Sequence, residues 1–567
     1  MRAVGIDFGT TNSVIAVYGS GGAEVLAVDT PPADWAELGF DRVLPSVLAM
    51  GPNAEPVFGW QAKTRPVGKL EAVKRLFKHD EIAQVGDQTF YVEEVATLLF
   101  AHLKRAAAQA GVDVSRAVVT IPANSRGLAR FRTKVCAGMA GIDVPVLINE
   151  PTAAAMAYGI SARDNQTLMV VDWGGGTLDV TVLETVDGTF MEQASKGINK
   201  LGGMDFDSRL AKAIIDTVSN VGDWSEEERG SFKLAVERAK ILLSSQEETN
   251  LILPRGEHRR VTRRMFEDAV RPLIERVREP IERCLADVRE TASDIDTIIL
   301  VGGTSKTPAV RNFVAELLGA EPVSGVDPLT AVAEGAAVAA AVLSGDLATH
   351  DFLVSTEHAL GTVVADLEKM ELCFDPLIPR NHKLPAKRTC TYRPVRDDQD
   401  SVAVRVIEGD PAIPLDHEDN VVLKEWKVTI PDPGPANDKA FHMTYDYDAD
   451  GILHVTVVDN AGNVLLQDDV SFGVTRDKRQ LVRIANSVER VMSSGSLPTP
   501  EAPSRVKDPE AHLLVQRART KVIPFLDDEQ AARLRELVAA VEVADAASLP
   551  AARKALQDEL RKYSYLF

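Results

Sequence analysis

The sequence predicts an α/β region of two similar lobes, then an all-β sandwich, then a short α-helical segment. Three observations lead there. An aspartate-tipped glycine turn between two apolar strands occurs twice, in "VGIDFGTTNSVIAVY" and "MVVDWGGGTLDVTVL". Short alternating strands broken by turn clusters fill Leu360 to Gln467, as in "SVAVRVIEGD", "EWKVTIPDPGP" and "FHMTYDYDADGILHVTVVD". Beyond 476 the pattern is helical, in "RDKRQLVRIANSVERVM", "DEQAARLRELVAAVEV" and "LPAARKALQDELRKY".

A chain of 567 residues is too long for one core. Hydrophobic content of 45% with 26% charged residues is that of a soluble globular protein. A net charge of −20 argues against nucleic acid as a partner, since phosphate-backbone binders need clustered Lys and Arg. The one basic run, "RGEHRRVTRR", reads as a solvated hairpin and helix start. Cys136, Cys284, Cys373 and Cys390 have no metal or redox spacing and read as small buried residues in a reducing compartment. The N-terminus enters a strand at once, and "AVAEGAAVAAAVL" is too short to cross a bilayer and carries Glu334. A cytoplasmic protein without a membrane segment is therefore expected.

The duplicated turn carries the chemistry. Asp7 aligns with Asp172 and Gly9 with Gly174. Glycine lets another group approach the backbone, and successive N–H groups in such a turn converge on an anion. A single turn of this kind is equally well an ordinary hairpin. Two, about 165 positions apart, suggest facing halves gripping one polyphosphate. Asp7 and Asp172 would repel phosphate unless a cation stood between, and hydrated Mg²⁺ takes one or two carboxylates. A third turn, "DTIILVGGTSKTPAVRNFVAELLG", ends a strand at Gly302–Gly303 and predicts a helix from Pro308 to Gly319. Its apolar face is Val310, Phe313, Val314, Leu317 and Leu318, and the glycine pair admits a flat base and ribose. A fourth is "KLGGMDFDSRL", with Gly202 and Gly203. Neither G-x-x-x-x-G-K-[ST] nor G-x-G-x-x-G is present, so the site is not a P-loop or dinucleotide fold.

"GIDFGTTNS", "INEPTAAAMAYG", "DWGGGTLDV", "LGGMDFD", "ERAKILLSS", "ILVGGTSKTP" and "DYDADGILHVTVVD" follow one another in the order seen in DnaK-like 70-kilodalton heat-shock chaperones. The chain resembles that family, within the actin-like ATPase superfamily, over roughly residues 1–475. The resemblance implies an actin-like ATPase domain (1–347), a linker (348–358), a β-sandwich peptide-binding domain (359–475) and a helical lid-like domain (476–567). It implies ATP or ADP and Mg²⁺ as cofactors, and unfolded or extended polypeptides as partners. By that resemblance Gly9, Thr10, Thr11 and Asn12, with Gly174, Gly175, Gly176 and Thr177, contact the phosphates. Asp7 and Asp172 hold Mg²⁺ through water. Lys74 reaches the γ-phosphate and the attacking water, and Glu150 helps place water and metal. Glu237, Lys240 and Ser244, spaced i, i+3, i+7 on one helix face, touch the adenosine. Gly202, Gly203, Gly302, Gly303, Thr304 and Lys306 lie around the nucleotide, with Asp327 nearby. Catalysis of this kind needs positioning and charge rather than covalent chemistry.

Several positions depart from the family. Lys306 stands where arginine usually stacks over adenine, and lysine lacks the planar guanidinium. "IPANSRGLARFR" keeps Pro122 but loses the usual run after it. Val146 replaces an arginine that helps dock the J-domain co-chaperone. The segment between Ser244 and Val301 is short where the exchange factor grips, so both partnerships are in doubt. The linker offers only Phe352, Leu353 and Val354, which read as a short strand docked on the ATPase domain or as a plain connector. In the sandwich, Val402, Val404, Tyr392 and Phe441 would line a groove preferring Leu, Ile or Val, or else belong to the core. Ala365 and Val395 take the arch positions over it. The leading reading is an ATP-dependent chaperone whose hydrolysis controls peptide binding and release. The alternatives are a non-cycling nucleotide-binding holdase or specialised partner-binding ATPase, and a small-molecule kinase, against which the β domain argues.

Overall fold

The computed structural model describes residues 2–494 and 511–561, apart from positions 54, 78–81, 126, 160–164, 187–188, 219–220, 348–350, 353–355, 357, 367–370, 381, 418–419, 449–451, 471–477, 512–513, 516–517, 519–521, 524–525, 527 and 545–547. Leu353 and Val354, the stretch 495–510 and the tail "YSYLF" lie outside the described residues.

The first lobe is built on β1 (Ala3–Phe8), β2 (Asn12–Gly19) and β3 (Gly22–Val25). Behind them come α1 (Val92–Gln109), β4 (Val118–Ile121), α2 (Gly127–Met139), β5 (Leu147–Asn149) and α3 (Glu150–Ala157). The sheet order is β5–β4–β1–β2–β3. Val4, Ile6, Phe8, Val119 and Ile121 are all buried, as central strands covered on both faces require.

The second lobe repeats the plan with β6 (Gln166–Trp173), β7 (Leu178–Val186) and β8 (Thr189–Ile198). It continues through α4 (Gly203–Ile215), α5 (Glu226–Leu242), β9 (Thr297–Val301), α6 (Pro308–Leu318) and α7 (Ala331–Ser344). β6 pairs antiparallel with β7 and parallel with β9, as β1 does with β2 and β4. Asp7 pairs with Val14 and Asp172 with Asp179, so the two hairpins share one register. The basic run forms a strand, His258–Thr262, and the start of the helix Arg263–Ile274, as expected. α6 ends at Gly319 with φ 70°, also as expected.

α7 joins the lobes through small residues. A Cβ on Gly5 of β1 would lie 2.2 Å from the Ala337 nitrogen, and one on Gly335 would lie 1.6 Å from the Ala153 oxygen. Only hydrogen at these positions lets the helix touch β1 and α3 together.

Beyond the lobes, β10 (Asp351–Phe352) adds to the second sheet, parallel to Thr189–Phe190 of β8. The linker therefore docks as a strand. The sandwich follows with β11 (Ala359–Asp366), β12 (Glu371–Ile378), β13 (Ala386–Tyr392), β14 (Ser401–Gly409), β15 (Val421–Thr429), β16 (Phe441–Tyr447), β17 (Leu453–Asp459) and β18 (Val464–Val470). Its sheets run β12–β11–β14–β15 and β13–β16–β17–β18, all antiparallel.

The sandwich sits on the lobes. Gly127 N, at the start of α2, donates to the buried Glu408 carboxylate of β14 at 3.0 Å, while Leu128 and Phe131 pack on the sandwich core. Arg380 pairs with Asp287 at 3.1 Å. The first C-terminal helix, α8 (Lys478–Ser494), puts Ile484, Val488 and Val491 into the first lobe's core, and Ser487 donates to Glu94 at 3.1 Å. Cys136 and Cys284 are buried as expected, but Cys373 and Cys390 are half-exposed because they sit on the sandwich strands β12 and β13 near the edges of their sheets.

Gly335→Ala should destabilise the lobes by about 3 kcal/mol, because the group that must yield is backbone. Gly138→Ala, on an exposed turn of α2 with open space around it, should be neutral or slightly stabilising. Urea unfolding of the full chain followed by intrinsic fluorescence checks both, and equal midpoints for the two variants would remove the packing argument.

Candidate functional site

The two Asp-tipped turns come face to face. A Cβ on Gly175 would lie 2.4 Å from Thr11 Cγ2, and one on Gly176 2.5 Å from Thr10 Cγ2. The other glycine turns close on the same point. Gly203 N donates to Gly174 O at 3.0 Å, Met204 N to Gly175 O at 3.0 Å, and Thr304 Oγ1 to Gly174 O at 2.8 Å. Gly302 has φ 81°, and a Cβ there would meet the Trp173 carbonyl carbon at 2.5 Å. Around this knot lies a cavity of about 1140 Å³ between the lobes, ample for a nucleotide. Of the residues expected at the nucleotide, Gly176, Gly202 and Asp327 do not line it, and the rest do. Gly176 and Gly202 instead pack beneath the surface of the cradle.

The floor of the cavity is acidic with one ammonium. Lys74 Nζ donates to Glu150 Oε1 at 3.1 Å, and Thr120 Oγ1 donates to Asp7 Oδ1 at 3.0 Å. Burial and the neighbouring Glu150 push the Asp7 carboxyl up to about 7. Burial, then Glu150, Asp179 and Asp7, push Asp172 well above the carboxylate range. Three facing acids with one lysine make a donor set short of positive charge, which suits a divalent cation. No group of three His, Cys, Asp or Glu among the described residues is arranged to ligate a metal ion directly. Mg²⁺, which keeps much of its water shell, fits such spacing.

A match to the family model for "Hsp70 protein" covers residues 72–564. The chain belongs to the Hsp70 family. It is similar to the chaperone protein DnaK of Thermosipho melanesiensis, 36% identical over 485 residues, covering 80% of this chain and 78% of that one. To the chaperone protein DnaK of Deinococcus deserti it is 33% identical over 606 aligned positions, 99% of this chain and 94% of that one. The DnaK of Cenarchaeum symbiosum is 34% identical over 478 residues, 81% and 71% of the two chains. The chain is thus an Hsp70-type chaperone, and the fold expected from its motifs is the fold observed.

Two cations of this Hsp70 cleft gave no sequence signal. Ala72 is left-handed, with φ 60°, and turns the short helix Val73–Leu76 into the cavity. That brings Arg75 to Gly176 O and Asp205 Oδ2, both at 2.8 Å, while Asp205 accepts from Gly202 N at 2.7 Å. Arg75 so braces the second hairpin from the opposite lobe. Lys63 bridges the lobes as well, 2.6 Å from Glu237 and 3.1 Å from Glu71. Burial opposes its charge, but the two carboxylates outweigh burial and raise its pKa.

The adenosine-side residues have partners of their own. Glu237 is held by Lys63, Lys240 pairs with Asp207 at 2.8 Å, and Lys306 pairs with Asp327 at 2.8 Å. Ser244 lines the cavity but lies past the end of α5, so the expected helix face stops short of it. In the sandwich, Val404 and Phe441 are core residues, because their strands turn them between the two sheets. Val402 and Tyr392 are half-buried against that core, and Tyr392 OH donates to Asp375 Oδ2 at 2.7 Å. Of the two expected arch residues, Ala365 is half-buried and Val395 is 55% exposed.

The raised Asp7 pKa gives the nucleotide-free protein a defined pH dependence. Folded, Asp7 keeps its proton up to about 7, against 3.8 for an ordinary aspartate. Its contribution to stability is complete below about 3.8 and is lost as pH climbs to about 7. Asp7→Asn stays neutral, so its Tm should rise above that of the wild type as pH increases through this window. Thermal melts without nucleotide check this, and a constant Tm difference would contradict it.

Proposed function

We propose that the chain is an ATPase whose hydrolysis of ATP in the interlobe cleft controls how the sandwich holds extended apolar polypeptides. The face-to-face hairpins above the acidic floor carry this reading. Gly9–Asn12, with Gly174, Gly175 and Thr177, present N–H groups and hydroxyls to the phosphates. Asp7 and Asp172 would hold Mg²⁺ through water. Bound Mg²⁺ supplies charge neutralisation at the phosphate oxygens. Lys74 stabilises charge on the terminal phosphate and orients water, and Glu150 fixes the ammonium in the cleft. Gly302, Gly303, Thr304 and Lys306 flank base and ribose. Val402 and Tyr392, half-buried at the edge of the core, are the proposed peptide contacts. The reading includes a division at 1–347, 348–358, 359–475 and 476–567.

Coupling between the two sites has a material route. α2 holds the sandwich at one end through Gly127 and Glu408. Further along, Arg132 donates to Phe77 O at 2.6 Å and Leu76 O at 3.3 Å, gripping the segment that carries Lys74. A rigid helix touching both sites lets each bias the other. One observation favours the second reading, a non-cycling holdase: Lys306 is tied to Asp327 and is no substitute for a stacked guanidinium. A J-domain partner and an exchange factor stay outside the proposal: Val146, at the position of the docking arginine, is buried, and the segment between Ser244 and Val301 is short.

Lys74→Ala should leave the Kd for ATP within about threefold while slowing single-turnover hydrolysis at least about 100-fold. Unchanged hydrolysis in the variant would refute the role of Lys74. A fluorescent apolar peptide should bind with different affinity in ATP and ADP and should stimulate turnover. Equal affinities without stimulation would favour the holdase.

A further inference from the structure

β8 is the strand on which two outside elements converge. At its start, Thr189 and Phe190 pair with the linker strand β10. Near its end, Ser195 O accepts from Arg380 of the sandwich, and the next residue, Lys196, shares Asp287 with Arg380, at 3.0 and 3.1 Å. Between these contacts the strand bulges. Leu183 pairs with Glu192 and Val182 with Ala194, leaving Gln193 as the extra residue. A bulge bends a strand and re-aims a neighbouring side chain.

Here the neighbour is Glu192, only 8% exposed. Its carboxylate accepts from Asn149 Nδ2 and from Thr152 Oγ1, both at 2.6 Å. Asn149 and Thr152 stand on either side of Glu150, the partner of Lys74. Arg130 of α2 holds the other end of the Asn149 amide at 2.5 Å. Burying a carboxylate is unfavourable unless it is fully bonded, and a valine would fill the same core space without that penalty. The short charge-assisted bonds bind β8 to the start of α3 more tightly than apolar packing does.

We propose that Glu192 is a positioning residue that transmits the docking of the linker and sandwich on β8 to Glu150 and, through it, to Lys74. The proposal rests on the ATPase reading above. Displacing β10 relaxes β8 at the bulge. The two hydrogen bonds then move Asn149 and Thr152, and the Lys74–Glu150 pair with them.

A double-mutant cycle in the full chain tests this. Glu192→Gln keeps the shape but sets an amide NH₂ against one of the two donors. Phe352→Pro removes an N–H and the strand geometry from β10. Single-turnover hydrolysis should fall about tenfold in either variant, with the Kd for ATP within about twofold, and the double variant should be little slower than Glu192→Gln alone. Without nucleotide, hydrogen exchange in Leu147–Ala157 should rise on Phe352→Pro in the wild-type background but not further in Glu192→Gln. Thr152→Val, which removes one donor only, should show the same pattern at smaller size and carries the cycle if Glu192→Gln does not fold. Fully additive effects in both readouts, or wild-type hydrolysis by Glu192→Gln, would overturn the proposal. If the wild type hydrolyses no ATP, the ATPase reading fails by itself, and the exchange cycle alone decides on Glu192.

Discussion

Everything in the nucleotide-sized cleft depends on how closely two hairpin turns approach. Gly175 and Gly176 lie against Thr11 and Thr10 at distances that exclude any Cβ. Because backbone and hydroxyl groups meet there, this part of the cavity wall presents polar groups fixed by the backbone, while long side chains such as Lys63, Glu237 and Lys240 line the rest. The same device recurs where α7 crosses β1 and α3. Small residues therefore set both the distance between the lobes and the shape of the space between them. β1, against which α7 packs at Gly5, runs straight into the turn that carries Thr10 and Thr11, so one strand joins the helix crossing to the facing turns.

The electrostatics of the cleft follow from that rigidity. Asp7, Glu150 and Asp172 cannot move apart to relieve their repulsion, because the strands that carry Asp7 and Asp172 and the start of the helix that carries Glu150 are buried. Lys74 satisfies one of the three. Asp7 and Asp172 answer the crowding by holding their protons more tightly than ordinary carboxylates do, and a divalent cation would compete with those protons for the same oxygens. Around the rim, Lys63 and Arg75 tie one lobe to the other through Glu237, Asp205 and the Gly176 carbonyl. These bridges hold the two lobes to each other above the acids of the floor.

How much of this was legible in the sequence depended on whether a feature is local. The duplicated turns, α6 with its Pro308 start and Gly319 stop, the alternating sandwich strands and the hairpin in the basic run all follow from residues within a few positions of one another. The docked linker strand was legible as one of two alternatives, from three apolar residues in a connector. The bridging of the lobes by Lys63 and Arg75 was not legible, because Glu237, Asp205 and the Gly176 carbonyl lie on the opposite lobe. Ala72 gives no warning of positive φ, since alanine rarely adopts it. Val404 and Phe441 alternate as groove and core residues alike do. Only the packing of the two sheets against each other puts them in the core.

Two helices and one strand give the cleft its reach beyond the lobes. α2 spans from Glu408 of the sandwich to the carbonyls behind Lys74, and α8 lies against the same lobe through α1. β8 approaches from the opposite lobe, touched by the linker at one end and by Arg380 at the other. The two routes meet at Asn149, whose amide is held by Arg130 of α2 on one side and Glu192 of β8 on the other. An amide fixed at both ends cannot follow one route without pulling on the other. Glu150 is the next residue in the chain, so the position of its carboxylate reports both contacts at once. A sandwich held by α2 alone, or a linker paired with β8 alone, leaves Asn149 under only one constraint. The arrangement therefore favours a response to both together over a response to either singly.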